Sequence, residues 1–126
     1  MISSEPYAFP HTPTDIIVKR AEKVLEIAFD NGMHFVFPAE FLRVHSPSAE
    51  VQGHFPDQRQ VVAGRRHVGI IDVKPVGTYA ISIDFDDLHD TGIYSWRVLY
   101  NLGLRQETLW MSYLKEIKDL GLSREP

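Results

Sequence analysis

The residues with the clearest capacity for chemistry in this 126-residue chain are six histidines set among 17 carboxylates. His89 lies in DFDDLHDTG, amid Asp84, Asp86, Asp87 and Asp90 and next to a helix-start signal. Imidazole with carboxylate suits iron and other divalent ions. One reading therefore joins His89 and Asp87 to His45 or His54, from the earlier block FPAEFLRVHSPSAEVQGH, as an N/O metal site. The plainer reading has Asp90 or Thr91 capping a helix while His89 fixes its loop by a hydrogen bond. Spacing alone does not bring the two blocks together, so both readings stand, with the plainer one favoured.

A second group is basic. Arg59, Arg65, Arg66 and His67 fall within DQRQVVAGRRHVG, a run able to bind an anion, a phosphate or an acidic partner surface. The alternative is a solvated charged face. Ser46 or Ser48 is expected to cap a following helical turn, and Arg43 to pair with a nearby acid for structural reasons.

No residue is assigned a catalytic role. The chain contains no H-x-D/E, H-E-x-x-H, G-x-S-x-G, phosphate-cradling or dinucleotide-binding motif. It has no cysteine, which rules out disulfides, thiolate-bound zinc and a cysteine-ligated iron–sulfur cluster within it. A net charge of −4 argues against non-specific nucleic-acid binding. The start, MISSEPYAFPHTPTD, lacks the basic and apolar regions of a signal peptide. No apolar run approaches the roughly 18 residues of a membrane span. The expectation is a cytoplasmic protein without membrane contact.

These groups must be positioned by regular elements, and the hydrophobic pattern supplies them. Residues 1–13, with three prolines, read as a flexible leader. A strand is expected around Ile16–Val18. A hairpin follows, Val24–Phe29 and Met33–Phe37, reversing at Asp30-Asn31-Gly32. Pro38 opens a short helix to about Arg43 that buries Phe41 and Leu42. Residues 50–67 read as loop with one helical turn. Two more strands are expected at His67–Val73 and Tyr79–Phe85. Ile93, Trp96, Leu99 and Leu102 recur at helical spacing, with Gly103 as the stop and Trp96 in the core. A last helix runs from Thr108 to about Leu120, and residues 123–126 form a tail. The sum is an α+β single domain over 14–122, with an antiparallel sheet of about four or five strands and two main helices.

The blocks FPAEFLRVHSPSAEVQGH and VKPVGTYAISIDFDDLHDTGIYSWRVL together resemble the gamma-butyrobetaine hydroxylase-like N-terminal domain family, over about residues 15–105. In carnitine-pathway dioxygenases such a domain precedes the catalytic jelly roll, contributes to dimerisation and carries zinc. A related segment follows the P-loop domain of some iron–sulfur cluster carriers, and small stand-alone bacterial forms exist. Transferred by position, the zinc ligands of the dioxygenases fall on Ser46, Ser48, Val51 and His89. Three of the four no longer suit zinc, and Leu88 stands where the family pattern has glycine. The dioxygenase catalytic domain is missing from this chain.

The resemblance thus implies a non-catalytic accessory or interaction module, linked to iron or iron–sulfur protein maturation, with a protein partner. Two alternatives are kept. One is an iron- or other divalent-metal-binding protein or metal-dependent enzyme built on His89, and the other is a structural homodimer.

Overall fold

The structure is a computed structural model and describes residues 9–53 and 56–126. Its first layer is a meander. Strands β1 (Pro13–Lys19), β2 (Val24–Phe29) and β3 (His34–Pro38) form an antiparallel sheet in the order β1-β2-β3. The β2–β3 reversal falls at Asp30-Asn31-Gly32, where Gly32 takes φ +87°. Only glycine adopts that backbone at no steric cost. Leu25, Ile27 and Phe29 all face inward, as their period of two requires.

A second antiparallel sheet holds β4 (Ile70–Val76), β5 (Ala80–Phe85) and β6 (Gly92–Ser95), in the order β4-β5-β6. The α+β class is as expected, but the strands among the described residues are six and divide into two sheets of three. The strand missing from the sequence reading is β6. Ile93 and Tyr94 fit a helical period, yet they pair with Ser82 and Ile81 of β5. Neither Asp90 nor Thr91 caps the next helix. Ser95 does, its Oγ accepting from the Val98 amide at 3.1 Å. Tyr94 is fully buried and donates its hydroxyl to the Leu42 carbonyl at 2.6 Å, joining the second sheet to the first helix.

Among the described residues there are also four α-helices: α1 (Ala39–Val44), α2 (Ala49–Gln52), α3 (Trp96–Leu104) and α4 (Gln106–Asp119). A 3-10 turn spans Pro56–Gln58. Gly103 does not stop α3. A β-carbon there would lie 2.4 Å from the Phe35 ring, so this glycine is what lets the helix lie directly on β3. Helix α4 begins two residues before the expected Thr108 and buries Tyr113 and Ile117. Trp96 packs against the core and donates its indole N–H to the Thr78 carbonyl at 2.8 Å.

One main core joins both sheets with α1 and α3 through Phe37, Leu42, Ile83, Phe85 and Leu99. Burying such a side chain contributes about 1.5–3 kcal/mol. Val44, Tyr113 and Ile117 make a smaller core under α4. Phe9, from the segment read as leader, packs on the main core. The 123–126 segment folds back on the domain. The amides of Gly64 and Arg66 donate to the carbonyls of Ser123 and Arg124 at 2.8 and 3.0 Å. Among the described residues, no helix is long and apolar enough to cross a membrane.

Candidate functional site

Two loops carry the residues singled out by sequence. The first leaves α1 at His45 and enters α2 through Pro47, with Ser48 as N-cap. Extended backbone at Ser48 turns its Oγ onto the Glu50 amide, 3.1 Å away. The second loop leaves β5 at Phe85 and closes on itself, the Phe85 amide donating to the His89 carbonyl at 2.9 Å. Asp87 Oδ1 accepts from the His89 amide at 3.2 Å. Leu88 takes the left-handed backbone, φ +72°, and is 88% exposed.

The loops meet side chain to side chain. Ser46 Oγ is 2.9 Å from His89 Nε2, and Ser48 Oγ is 2.8 Å from Thr91 Oγ1. Glu50 Oε1 lies 3.5 Å from His89 Nδ1 and also accepts from the Thr91 hydroxyl. The tautomer with its proton on Nδ1 turns that proton toward the Glu50 carboxylate and leaves Nε2 to accept from the Ser46 hydroxyl. Ser46 Oγ in turn accepts from the Ser48 amide at 3.3 Å. Burial, reinforced by Arg43, pushes the His89 pKa down, which keeps the ring neutral. Gly92 passes so close that a β-carbon there would sit 2.7 Å from Ser46 Oγ.

Serine, imidazole and carboxylate stand here in the order of a hydrolase triad. Ser46 is nevertheless completely buried, and a nucleophile has to touch its substrate. The relay is a clamp.

A second cluster adjoins it. Arg43 Nε and Arg65 Nε both donate to Asp87 Oδ2, at 2.7 and 2.6 Å. Burial pushes the Asp87 carboxyl up, but the two guanidiniums and the His89 amide outweigh it, and its pKa falls below the usual range. Arg43 is buried, and its Nη1 is without a hydrogen-bond partner among the described residues.

The sequence profile described as "Gamma-butyrobetaine hydroxylase-like, N-terminal" matches residues 16–100, most of the chain. The chain belongs to that family. Two NMR solution structures are similar to it throughout. One is 44% identical, covers 92% of this chain and 91% of its own, and has a TM-score of 0.80. The other is 45% identical, covers 96% and 90%, and has a TM-score of 0.82. A crystal structure of a protein of unknown function from Acidithiobacillus ferrooxidans is 34% identical. It covers 73% of this chain and 92% of its own, with a TM-score of 0.62. Among curated proteins the comparison found no match.

In this gamma-butyrobetaine hydroxylase-like domain, zinc in the manner of the dioxygenases does not fit. Two of the positions carried over by resemblance are hydroxyls already bonded to His89 and Thr91 of the second loop, and the third is a buried valine. Neutral serine is a poor zinc ligand and valine is none. The wider N/O set is not gathered either. His45 follows α1 as its C-cap and makes its contacts away from His89. Its Nδ1 meets the Phe41 carbonyl at 2.9 Å, and its ring packs near Tyr113 of α4. Asp87 is occupied by two arginines, whose charge opposes a cation there. His54 lies outside the described residues. Among the described residues no group of three or more His, Asp or Glu side chains is placed to hold a metal ion.

The basic run disperses as well. Arg59 pairs with Glu116, Arg65 with Asp87, and Arg66 with Glu125 at 2.9 Å. His67 Nε2 faces the same Glu125 at 3.5 Å. Each of these groups already faces a carboxylate of its own chain, and only Arg66 and His67 share one.

Sequence reasoning also missed a concavity. It is a groove of about 640 Å³ between the start of α1 and the α3–α4 junction, with Phe41, Leu104, Glu107 and Trp110 among its walls. Arg124 reaches into it, donating to both oxygens of buried Glu40 at 2.9 and 2.7 Å and lying 5.2 Å above the Trp110 ring. No spacing rule links residues 84 positions apart, so the pair left no mark in the sequence.

Proposed function

We propose that this chain is a non-catalytic accessory module that works by binding another protein. Its setting is iron or iron–sulfur protein maturation, as the family resemblance implies. The supporting observation is the state of the two-loop site. Ser46 is hydrogen-bonded to His89, Thr91 to both Ser48 and Glu50, Glu50 faces the other His89 nitrogen at 3.5 Å, and the serine that would have to react is buried. A cluster of this kind holds two loops in register and presents no reactive group. The fused P-loop relatives direct the search for the partner toward cluster-carrier proteins, an argument by association.

The test is affinity capture from native extract, with metal analysis of the anaerobically purified protein. One partner held at near-equal stoichiometry, with metal below about a tenth of an equivalent, is the expected result. No protein above background would overturn the reading. A metal content near one equivalent would favour the metal-binding alternative. Sedimentation at several concentrations separates a foreign partner from self-association.

A further inference from the structure

The groove beside Arg124 carries an unbalanced charge. Its walls hold two carboxylates, Glu40 and Glu107, against the single cation Arg124. Arg124 donates Nε and Nη2 to Glu40 at 2.9 and 2.7 Å. The side chain of Glu107, in the first turn of α4, makes no ion pair or hydrogen bond among the described residues. Apart from Gln106, the remaining wall is mostly apolar, with Phe41 buried and Leu104 58% exposed.

Building on the interaction-module reading, we infer that this groove is the docking site for a basic, apolar-flanked peptide segment of the partner. One arginine of that segment pairs with Glu107 while the residues beside it cover Leu104 and the edge of Trp110. The occupant follows from what each alternative would cost. An acidic segment meets the bare Glu107 carboxylate and is repelled. A neutral apolar segment covers Leu104 but strips water from Glu107 without replacing it, a penalty of the kind that excludes unpaired buried charge. A guanidinium satisfies the carboxylate in a forked geometry, and its flat stem packs on aromatic surface. The molecule already contains a copy of this recognition, because its own Arg124 guanidinium is held by a carboxylate and the face of Trp110 in the same groove. A volume of about 640 Å³ lies within the range of roughly 300–1,000 Å³ typical of ligand pockets.

The experiment is an amide and indole NMR titration of the intact 15N-labelled chain with the capped peptide Gly-Leu-Arg-Leu-Gly. The Trp110 indole signal and the amides of Leu104 and Glu107 should shift together, with a Kd of about 1 mM or tighter. Replacing the peptide's arginine by citrulline, its neutral isostere, should weaken binding about three- to five-fold. Glu107→Gln, at an exposed position that leaves the fold alone, should abolish that difference. Three results would overturn the inference: no shift at about 10 mM peptide, equal binding of the two peptides by the unaltered chain, or shifts confined to another face. A partner captured equally well by wild type and Glu107→Gln would also reject the groove while leaving the module reading intact. Failure of capture, with the peptide still bound at Glu107, would do the reverse.

Discussion

Ser46 and His89 are 43 residues apart in the chain, yet Oγ and Nε2 are 2.9 Å apart in the fold. Both side chains are buried, so neither can turn to water if the other is lost. Ser46→Ala is expected to leave Nε2 unsatisfied and cost about 1–3 kcal/mol. Thermal and urea unfolding measure this directly. A change below about 0.5 kcal/mol would show that the bond does not hold the loops.

The same pair makes the family relation testable by gain of function. Ser46→Cys with Ser48→Cys and Val51→Cys restores the ligand types that the resemblance assigns to these positions. A tetrahedral zinc with its usual bond lengths puts sulfur and nitrogen roughly 3.5 Å apart. The loops therefore have to separate by only about 0.6 Å from the observed 2.9 Å. Elemental analysis is expected to find about one equivalent of zinc, lost on adding His89→Ala. A triple variant that takes up none would show that these positions do not correspond.

Stability should fall in mild acid. Burial is the main force holding both His45 and His89 below the ordinary imidazole range. Around His45, Arg59 and Arg105 push the same way, against the Phe41 carbonyl and Glu116. Around His89, Arg43 does so, against Glu50, Asp87 and Asp90. A depressed folded value means that the unfolded chain binds the proton first. The stabilisation is thus complete above about pH 6.5 and declines as pH drops through the lower folded values. Urea midpoints are expected to fall between about pH 7 and pH 5, and to fall less in His45→Gln. A midpoint constant across that window would contradict the assignment.

Leu88 is a leucine in a glycine's conformation, with φ +72° and a side chain 88% exposed. The left-handed backbone costs a residue with a β-carbon roughly 1–2 kcal/mol, partly offset because glycine frees the unfolded chain. Leu88→Gly is expected to stabilise by about 0.5–1 kcal/mol, read by urea unfolding. A net loss would mean that the turn does not hold this shape.

What the sequence revealed and what it hid follow from the range of the forces involved. The β2–β3 hairpin was legible because Asn31-Gly32 and the alternating Leu25, Ile27 and Phe29 are local signals. Ser48 announced its cap in the same way. Strand β6 was not legible. Ile93 and Tyr94 satisfy a helical period as well as a pleated one, and only pairing with β5 decides between them. Gly103 read as a terminator, because nothing local shows that the Phe35 ring occupies the space of its missing β-carbon. The meeting of Ser46 with His89 was anticipated through family likeness rather than through spacing. The carboxylates that absorb Arg59, Arg65 and Arg66 lie 57, 22 and 59 positions away. His45 and Ser46 are adjacent, but one step along the backbone was enough to send them to different neighbours.

The backbone bonds from Gly64 and Arg66 to Ser123 and Arg124 also bear on how the chain is made. Both sheets, and the contacts of Arg65 with Asp87 and of Lys23 with the His67 carbonyl, draw only on residues that leave the ribosome before α4. The partners of the Gly64 and Arg66 amides, and the carboxylate facing the Arg66 and His67 side chains, come last. A nascent chain arrested short of residue 123 would therefore present a finished sheet pair with Arg66 and His67 still lacking their carboxylate.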